Sequence, residues 1–212
     1  ALRQGVIFDL DERLNAGQQP NDGEDVRDSS VRELQQRFLV DEAQAQRVGQ
    51  VAEALYNNVQ PDAGRDARRE LQWACALHEI GMMVSHHDHH RHSAYMLGNV
   101  DAPGFSQSQQ RRLAELVLAQ RGGLRKVEAS LMQPDFAWQA MCLRLAIIKC
   151  HARGTVDNHA IALRRKGSVA ELSGQPGWIE SHPRTHYLLT EEAAAWQRGG
   201  PLELELPRSS GY

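Results

Sequence analysis

The sequence predicts a mainly α protein, a helical bundle followed by a small α+β unit, on three observations. Apolar residues recur at helical spacing from Val31 to Ile148, between capping signals. The segment DFAWQAMCLRLAIIKCHARG, opened by Pro134, is apolar on nearly all sides, as a helix surrounded by other helices is. Near residue 154 the period changes to two, in HAIALRR, SVAEL and LELEL. The expected domains are therefore residues 1–154, with a loop at 11–28, and residues 155–212.

In chain order, DERLNAGQQPNDGEDVRD (11–28) is polar, has no apolar period and reads as an exposed loop. Ser30 with Glu33 forms a capping box before Val31, Leu34 and Phe38, and Asp41 caps a second helix. That helix carries Val48, Val51, Ala52, Leu55, Tyr56 and Val59 on one face. After Pro61 and Gly64, a third helix through RRELQWACALHEI sets His78 on the apolar stripe of Leu71, Ala74 and Cys75. A short helix around HSAYMLGN stops at Gly98, and Ser106 with Gln109 caps the next, which ends at Gly122 and Gly123. Gly154 closes the apolar helix. A hairpin turning at Lys166 and Gly167, a helix from Pro183 to Trp196 and a strand Leu202 to Leu206 complete the chain.

Composition narrows the function classes. A hydrophobic content of 41% is that of a globular protein, and no run reaches the roughly 18 apolar residues of a membrane helix. No signal-peptide pattern opens the sequence, so the expected location is cytoplasmic, with peripheral membrane attachment left open. Cys75, Cys142 and Cys150 sit among apolar residues and read as buried, reduced thiols. The formal charge of -3 hides an asymmetry: residues 105–170 hold eleven Lys/Arg against four Asp/Glu, leaving thirteen against twenty-three elsewhere. A basic region is either a solvated face or a field for a polyanion. The candidate polyanion contacts are Arg121, Arg125 and Lys126 after the glycine pair, Arg164, Arg165 and Lys166 on the hairpin, and Arg91. Aromatic residues, 6% of the chain, do not interleave with these cations, which argues against a specific nucleic-acid partner.

Six of the ten histidines lie in LHEIGMMVSHHDHHRHSAYML (77–97). Imidazoles at helical spacing bind zinc, nickel or manganese, and Glu79 and Asp88 are the carboxylates nearby. A metal site built from His86, His89 and His92 is one reading; structural histidines are the other.

The order of RVGQVAEAL, LHEIG, HRHSAYML and LRLAII resembles the HD phosphohydrolase superfamily, a helical fold with an early histidine, a His-Asp pair and a late aspartate as ion ligands. Carried over by position, these fall on Gln44, on His78 and Glu79, and on Ile147, with His89 and His92 beside them. The resemblance thus implies an HD-like scaffold with a degenerate ligand set and no metal of its own. ALRQGVIF, LHEIG, HRHSAYML followed by DAPGF, LRLAII and GWIESHP are together similar to the carboxyl-terminal half of bacterial exopolyphosphatase and its relative guanosine pentaphosphate phosphohydrolase. What this implies is a chain without catalytic residues or cofactor, joined in the parent protein to amino-terminal actin-like ATPase-fold domains that use Mg2+. It further implies a homodimer with a basic channel for inorganic polyphosphate. The start at Ala1, running at once into GVIFDL, fits a piece of a longer protein. Guanosine pentaphosphate hydrolysis, an independent metal-dependent HD phosphohydrolase and a purely structural assembly domain are the alternatives.

Overall fold

In the computed structural model, residues 25–155, 157 and 160–207 are described. They form helices with a small three-stranded sheet at the carboxyl-terminal end, the mainly α fold with an α+β part that the sequence predicts.

The first helix, α1 (Val26–Arg37), starts earlier than the sequence suggests. Asp25 is its cap, accepting from the Arg27 amide at 3.0 Å, and Ser30 lies inside, its Oγ donating to the Pro103 carbonyl at 2.6 Å. The expected capping box at Ser30 and Glu33 is thus not the start, and residues 26–28 of the expected loop are helical. Long-range partners explain the difference. Asp28 accepts from Trp73 Nε1 at 2.7 Å and from Arg69, so polar residues that locally read as loop are fixed from another helix. Residues 11–24 of the expected loop and the segment ALRQGVIF lie outside the described residues.

Helix α2 (Glu42–Val59) is capped by Asp41, whose Oδ1 accepts from the Gln44 amide at 2.9 Å, and it buries the whole expected stripe from Val48 to Val59. Helix α3 (Arg65–Leu77) ends at His78, so HEI is not part of it; Ile80–Met83 form a 3₁₀ turn. Helix α4 (His89–Asn99) follows Asp88, which is left-handed at φ 54°, and it continues through Gly98. Helix α5 (Gln107–Ala119) carries both halves of the Ser106–Gln109 capping box. A second 3₁₀ turn (Leu124–Val127) and the short α6 (Glu128–Leu131) lead to α7 (Pro134–Lys149), whose residues from Phe136 to Ala146 are all buried.

Strands β1 (Ile161–Lys166) and β2 (Val169–Gly174) pair antiparallel, with Lys166 opposite Val169, so the turn is Gly167 and Ser168, one residue later than expected. Gly167 adopts φ 62°, which favours glycine there. After α8 (Trp178–Ser181) and α9 (Pro183–Gly199), β3 (Glu203–Glu205) returns parallel to β2, with Ala170 opposite Leu204. The helices provide the crossover that a parallel pair requires. Ile161, Leu163, Ala170, Leu172 and Leu204 share one hydrophobic cluster with Trp138 and Leu55 of the helices. Arg165 lies 5.0 Å over the Trp138 ring. The three cysteines are buried and free, and burial raises all three thiols, Cys150 to about 11.

The glycine of LHEIG is required by close approach. A Cβ on Gly81 would lie 2.3 Å from the Ser93 amide nitrogen and 2.4 Å from the His89 carbonyl oxygen. Gly81 N–H donates to Ser93 Oγ at 2.8 Å, and that hydroxyl donates to the His78 carbonyl at 3.0 Å, joining α3 to α4. Gly81→Ala is expected to cost about 2–3 kcal/mol in urea unfolding through forced separation of these elements. An unchanged midpoint would contradict the close approach.

Candidate functional site

The site begins with an arginine in the most apolar helix. Arg144 on α7 is 3% exposed, and a buried guanidinium needs several acceptors. It pairs with Glu192 of α9, at 2.8 Å between Nη2 and Oε2, and donates to the Ala119 carbonyl at 2.6 Å and the Gly122 carbonyl at 3.0 Å. One side chain thereby satisfies the carboxyl end of α5, fixes the glycine turn and holds α9. Glu192 also accepts from Trp196 Nε1 at 2.6 Å.

Around this anchor lies a cavity of about 980 Å³, walled by the end of α5, the glycine turn, α7 and α9. Arg121 and Arg125 enter it from one side, Arg184 and Arg198 from α9. None of these four arginines has an ion-pair partner among the described residues, although Glu191 lines the same cavity. Elsewhere Arg27, Arg69, Arg112 and Arg153 are each matched to carboxylates. The cavity therefore keeps uncompensated positive charge, a field that favours an anion. Gln120 and His89, 2% and 6% exposed, also line it; Gln120 Nε2 donates to the His78 carbonyl at 2.9 Å, while Gln120 Oε1 and His89 Nδ1 have no protein partner.

Desolvation and cations lower the basic groups here. His89 is pushed down to about 4 by burial and then by Arg121, and His90 to about 4 by burial and then by Lys126 and Arg121. Lys126 falls to about 8 through burial and then Arg144, Arg91 and Arg121. Its Nζ donates to the Arg121 carbonyl.

Of the sequence-derived cations, Arg121 and Arg125 line this cavity and Lys126 adjoins it. Arg91 lines a separate cavity between α4 and α5, with Arg111. The hairpin cations are not brought to the cavity: Arg164 and Lys166 both pair with Glu171, and Arg165 donates to Gln60 Oε1 at 3.0 Å. Arg144, Arg184 and Arg198 were not among the sequence candidates. Their signals were a lone cation within LRLAII, and the spacing 184, 188, 191, 195, 198, which keeps one face of a helix toward the cavity. The cavity also shares His151 and Arg184 with a neighbouring one of about 300 Å³.

The positions that the HD resemblance marks are engaged with protein groups. Gln44 Nε2 donates to the Cys150 carbonyl at 2.9 Å, and its Oε1 accepts from Arg47 at 3.0 Å. His78 is buried, its Nδ1 2.7 Å from the Cys75 carbonyl, and burial lowers it to about 4. Glu79 holds the Arg153 guanidinium, which also donates to Asp41 at 2.9 Å. Ile147 is half-buried at the cavity wall. His86 and His87 are exposed, His89 and His90 buried, and His92 half-buried, so the histidine run does not converge. Among the described residues no three His, Cys, Asp or Glu side chains are grouped to hold an ion.

The family described as "Ppx/GppA phosphatase, domain III" matches residues 26–193. The chain belongs to the Ppx/GppA phosphatase family. That match covers every lining residue of the cavity except Ala195, Arg198 and Gly199 at the end of α9. Among the described residues no helix is long and apolar enough to cross a membrane.

Two outcomes follow from the buried groups. Arg144→Met leaves Glu192 charged and unpaired, with an expected loss of about 3–5 kcal/mol in chemical unfolding, largely recovered in the Arg144→Met, Glu192→Met double variant. Loss of the same size in both would contradict the pairing. His78, His89 and His90 have folded values near 4 against an ordinary 6.5. Unfolding then takes up protons below 6.5, so stability is full above that pH and falls as pH drops from 6.5 toward 4. The urea midpoint is expected to decline over that window and to decline less in His78→Asn; a flat profile above pH 5 would oppose this.

Proposed function

We propose that this chain binds inorganic polyphosphate in the arginine cavity, on behalf of catalytic domains that release its terminal orthophosphate. The observation that carries the reading is the set of four guanidinium groups, Arg121, Arg125, Arg184 and Arg198, which line one cavity and have no ion-pair partner among the described residues. Successive phosphates match such a row through charge-assisted hydrogen bonds and counterion release. The Ppx/GppA membership supports a phosphatase context. In this reading the actin-like domains and their Mg2+ supply the hydrolytic step, this chain supplies grip, and the working form is a cytoplasmic homodimer.

Guanosine pentaphosphate is the second reading. Gln120 Oε1 and His89 Nδ1 would accept from a base or a sugar hydroxyl, which fully ionised polyphosphate lacks. A separate metal-dependent HD chemistry at His78 and Glu79 has less support, because the Glu79 carboxylate already holds Arg153.

Titration calorimetry of the chain with long polyphosphate tests the proposal. Affinity is expected to fall with salt at a log-log slope of roughly -3 for four contacts, and the Arg121, Arg125, Arg184, Arg198 quadruple alanine variant to lose most of it. Arg164→Ala with Lys166→Ala is expected to bind normally. Salt-independent binding, no binding, or loss in the hairpin variant alone would overturn the assignment. Tighter binding of guanosine pentaphosphate than of polyphosphate, lost in Gln120→Met, would favour the second reading.

A further inference from the structure

The cavity between α4 and α5, of about 360 Å³, shares no lining residue with the arginine cavity. Arg91, Tyr95 and Gly98 line it from α4 at helical spacing, and Arg111, Ala114 and Glu115 line it from α5. Neither guanidinium has an ion-pair or hydrogen-bond partner among the described residues. Tyr95 is 73% exposed and presents its ring at the rim. Gly98 is helical, without the positive φ that favours glycine, and a Cβ there would meet no other element closer than Ala114 Cβ, at 4.0 Å. Helix packing therefore admits alanine at this position; the missing side chain serves the cavity, baring backbone beside the Tyr95 ring. Two acceptors complete the lining. Gln110 donates through Nε2 to the Leu97 and Val100 carbonyls, at 2.6 and 2.5 Å, which leaves its Oε1 to accept. Glu115 receives the Ser130 hydroxyl on Oε2, which leaves Oε1.

We propose that the α4–α5 cavity is a second ligand site, which binds a small heteroaromatic ring carrying one phosphate or carboxylate group. The volume falls in the range of roughly 300–1,000 Å³ typical of small-molecule sites, at the end that suits a ligand of mononucleotide size. The ring lies on the bared backbone at Gly98 against the Tyr95 face. Its anionic group sits between Arg91 and Arg111, whose planar forks match either oxyanion. A ring N–H or amino group donates to Gln110 or Glu115. A bare anion makes no use of Tyr95, and a neutral ring leaves both guanidinium groups unanswered, so the two features together select the combined ligand. The Glu115 carboxylate repels a chain of many negative charges, whereas a single anionic group has two guanidinium groups to itself. The site is independent of polyphosphate binding in the arginine cavity.

Titration of the 212-residue chain with four probes tests the site: adenosine monophosphate and indole-3-acetate, which join a ring to an anion, and adenosine and orthophosphate, which separate the two. At least one joined probe is expected to bind about ten-fold or more tighter than either separated one. Preference for adenosine monophosphate points to a nucleoside phosphate as the source, and preference for indole-3-acetate to an aromatic carboxylate. Tyr95→Ala, and Arg91→Ala with Arg111→Ala, all at exposed positions, are each expected to weaken the joined probe about ten-fold. The Arg121, Arg125, Arg184, Arg198 quadruple alanine variant is expected to bind it unchanged. Absence of binding by both joined probes, equal affinity for orthophosphate, or binding that survives Tyr95→Ala but disappears in the quadruple variant would overturn the proposal. Loss of polyphosphate binding alone would count against the arginine cavity as its seat and leave this site in place.

Discussion

The buried pair of Arg144 and Glu192 is the constraint on which the architecture of the site depends. It crosses from the most apolar helix to the last one, and it is flanked by the Ala119 and Gly122 carbonyls and the Trp196 indole. A charge pair out of water is costly unless each remaining donor and acceptor is matched, and here the matching groups belong to separate elements. The pair therefore tolerates one mutual placement of α5, α7 and α9. The cavity is the space between them.

Much of the fold was legible because its signals are local. The α2 stripe, the Ser106–Gln109 box, the proline at the start of α7 and the alternation of the strands depend on residues within a few positions of each other. The start of α1 was not, because Asp28 is secured by Trp73 and Arg69, more than forty residues away. The site was half legible. Counting charge along the chain found Arg121 and Arg125 but joined to them a hairpin on which Glu171 answers Arg164 and Lys166, while Arg165 is turned to Gln60 and Trp138. It passed over Arg184 and Arg198, since Glu191 and Glu192 on the same helix balance them in any linear count. Ion pairing, a property of space, separates the cations whose charge is compensated nearby from those whose charge is not.

His78, the position onto which the HD resemblance places an ion ligand, is tied to protein groups. Its ring is turned to the Cys75 carbonyl, and its own carbonyl receives Gln120 and Ser93. A position that in the resembling superfamily serves an ion here serves as a junction of α3, α4 and α5. Arg153, left-handed at φ 54°, brings the positive charge that Glu79 and Asp41 face.

The parallel return of β3 carries a mechanical corollary. Helix α9 is moored at its far end by a three-residue ribbon lying along the hairpin, so the placement of the helix face that carries Arg184 and Arg198 depends on a segment outside the cavity. Sequence drift in Leu202 or Leu204, well outside the cleft, would retune its width as calipers are reset by their hinge.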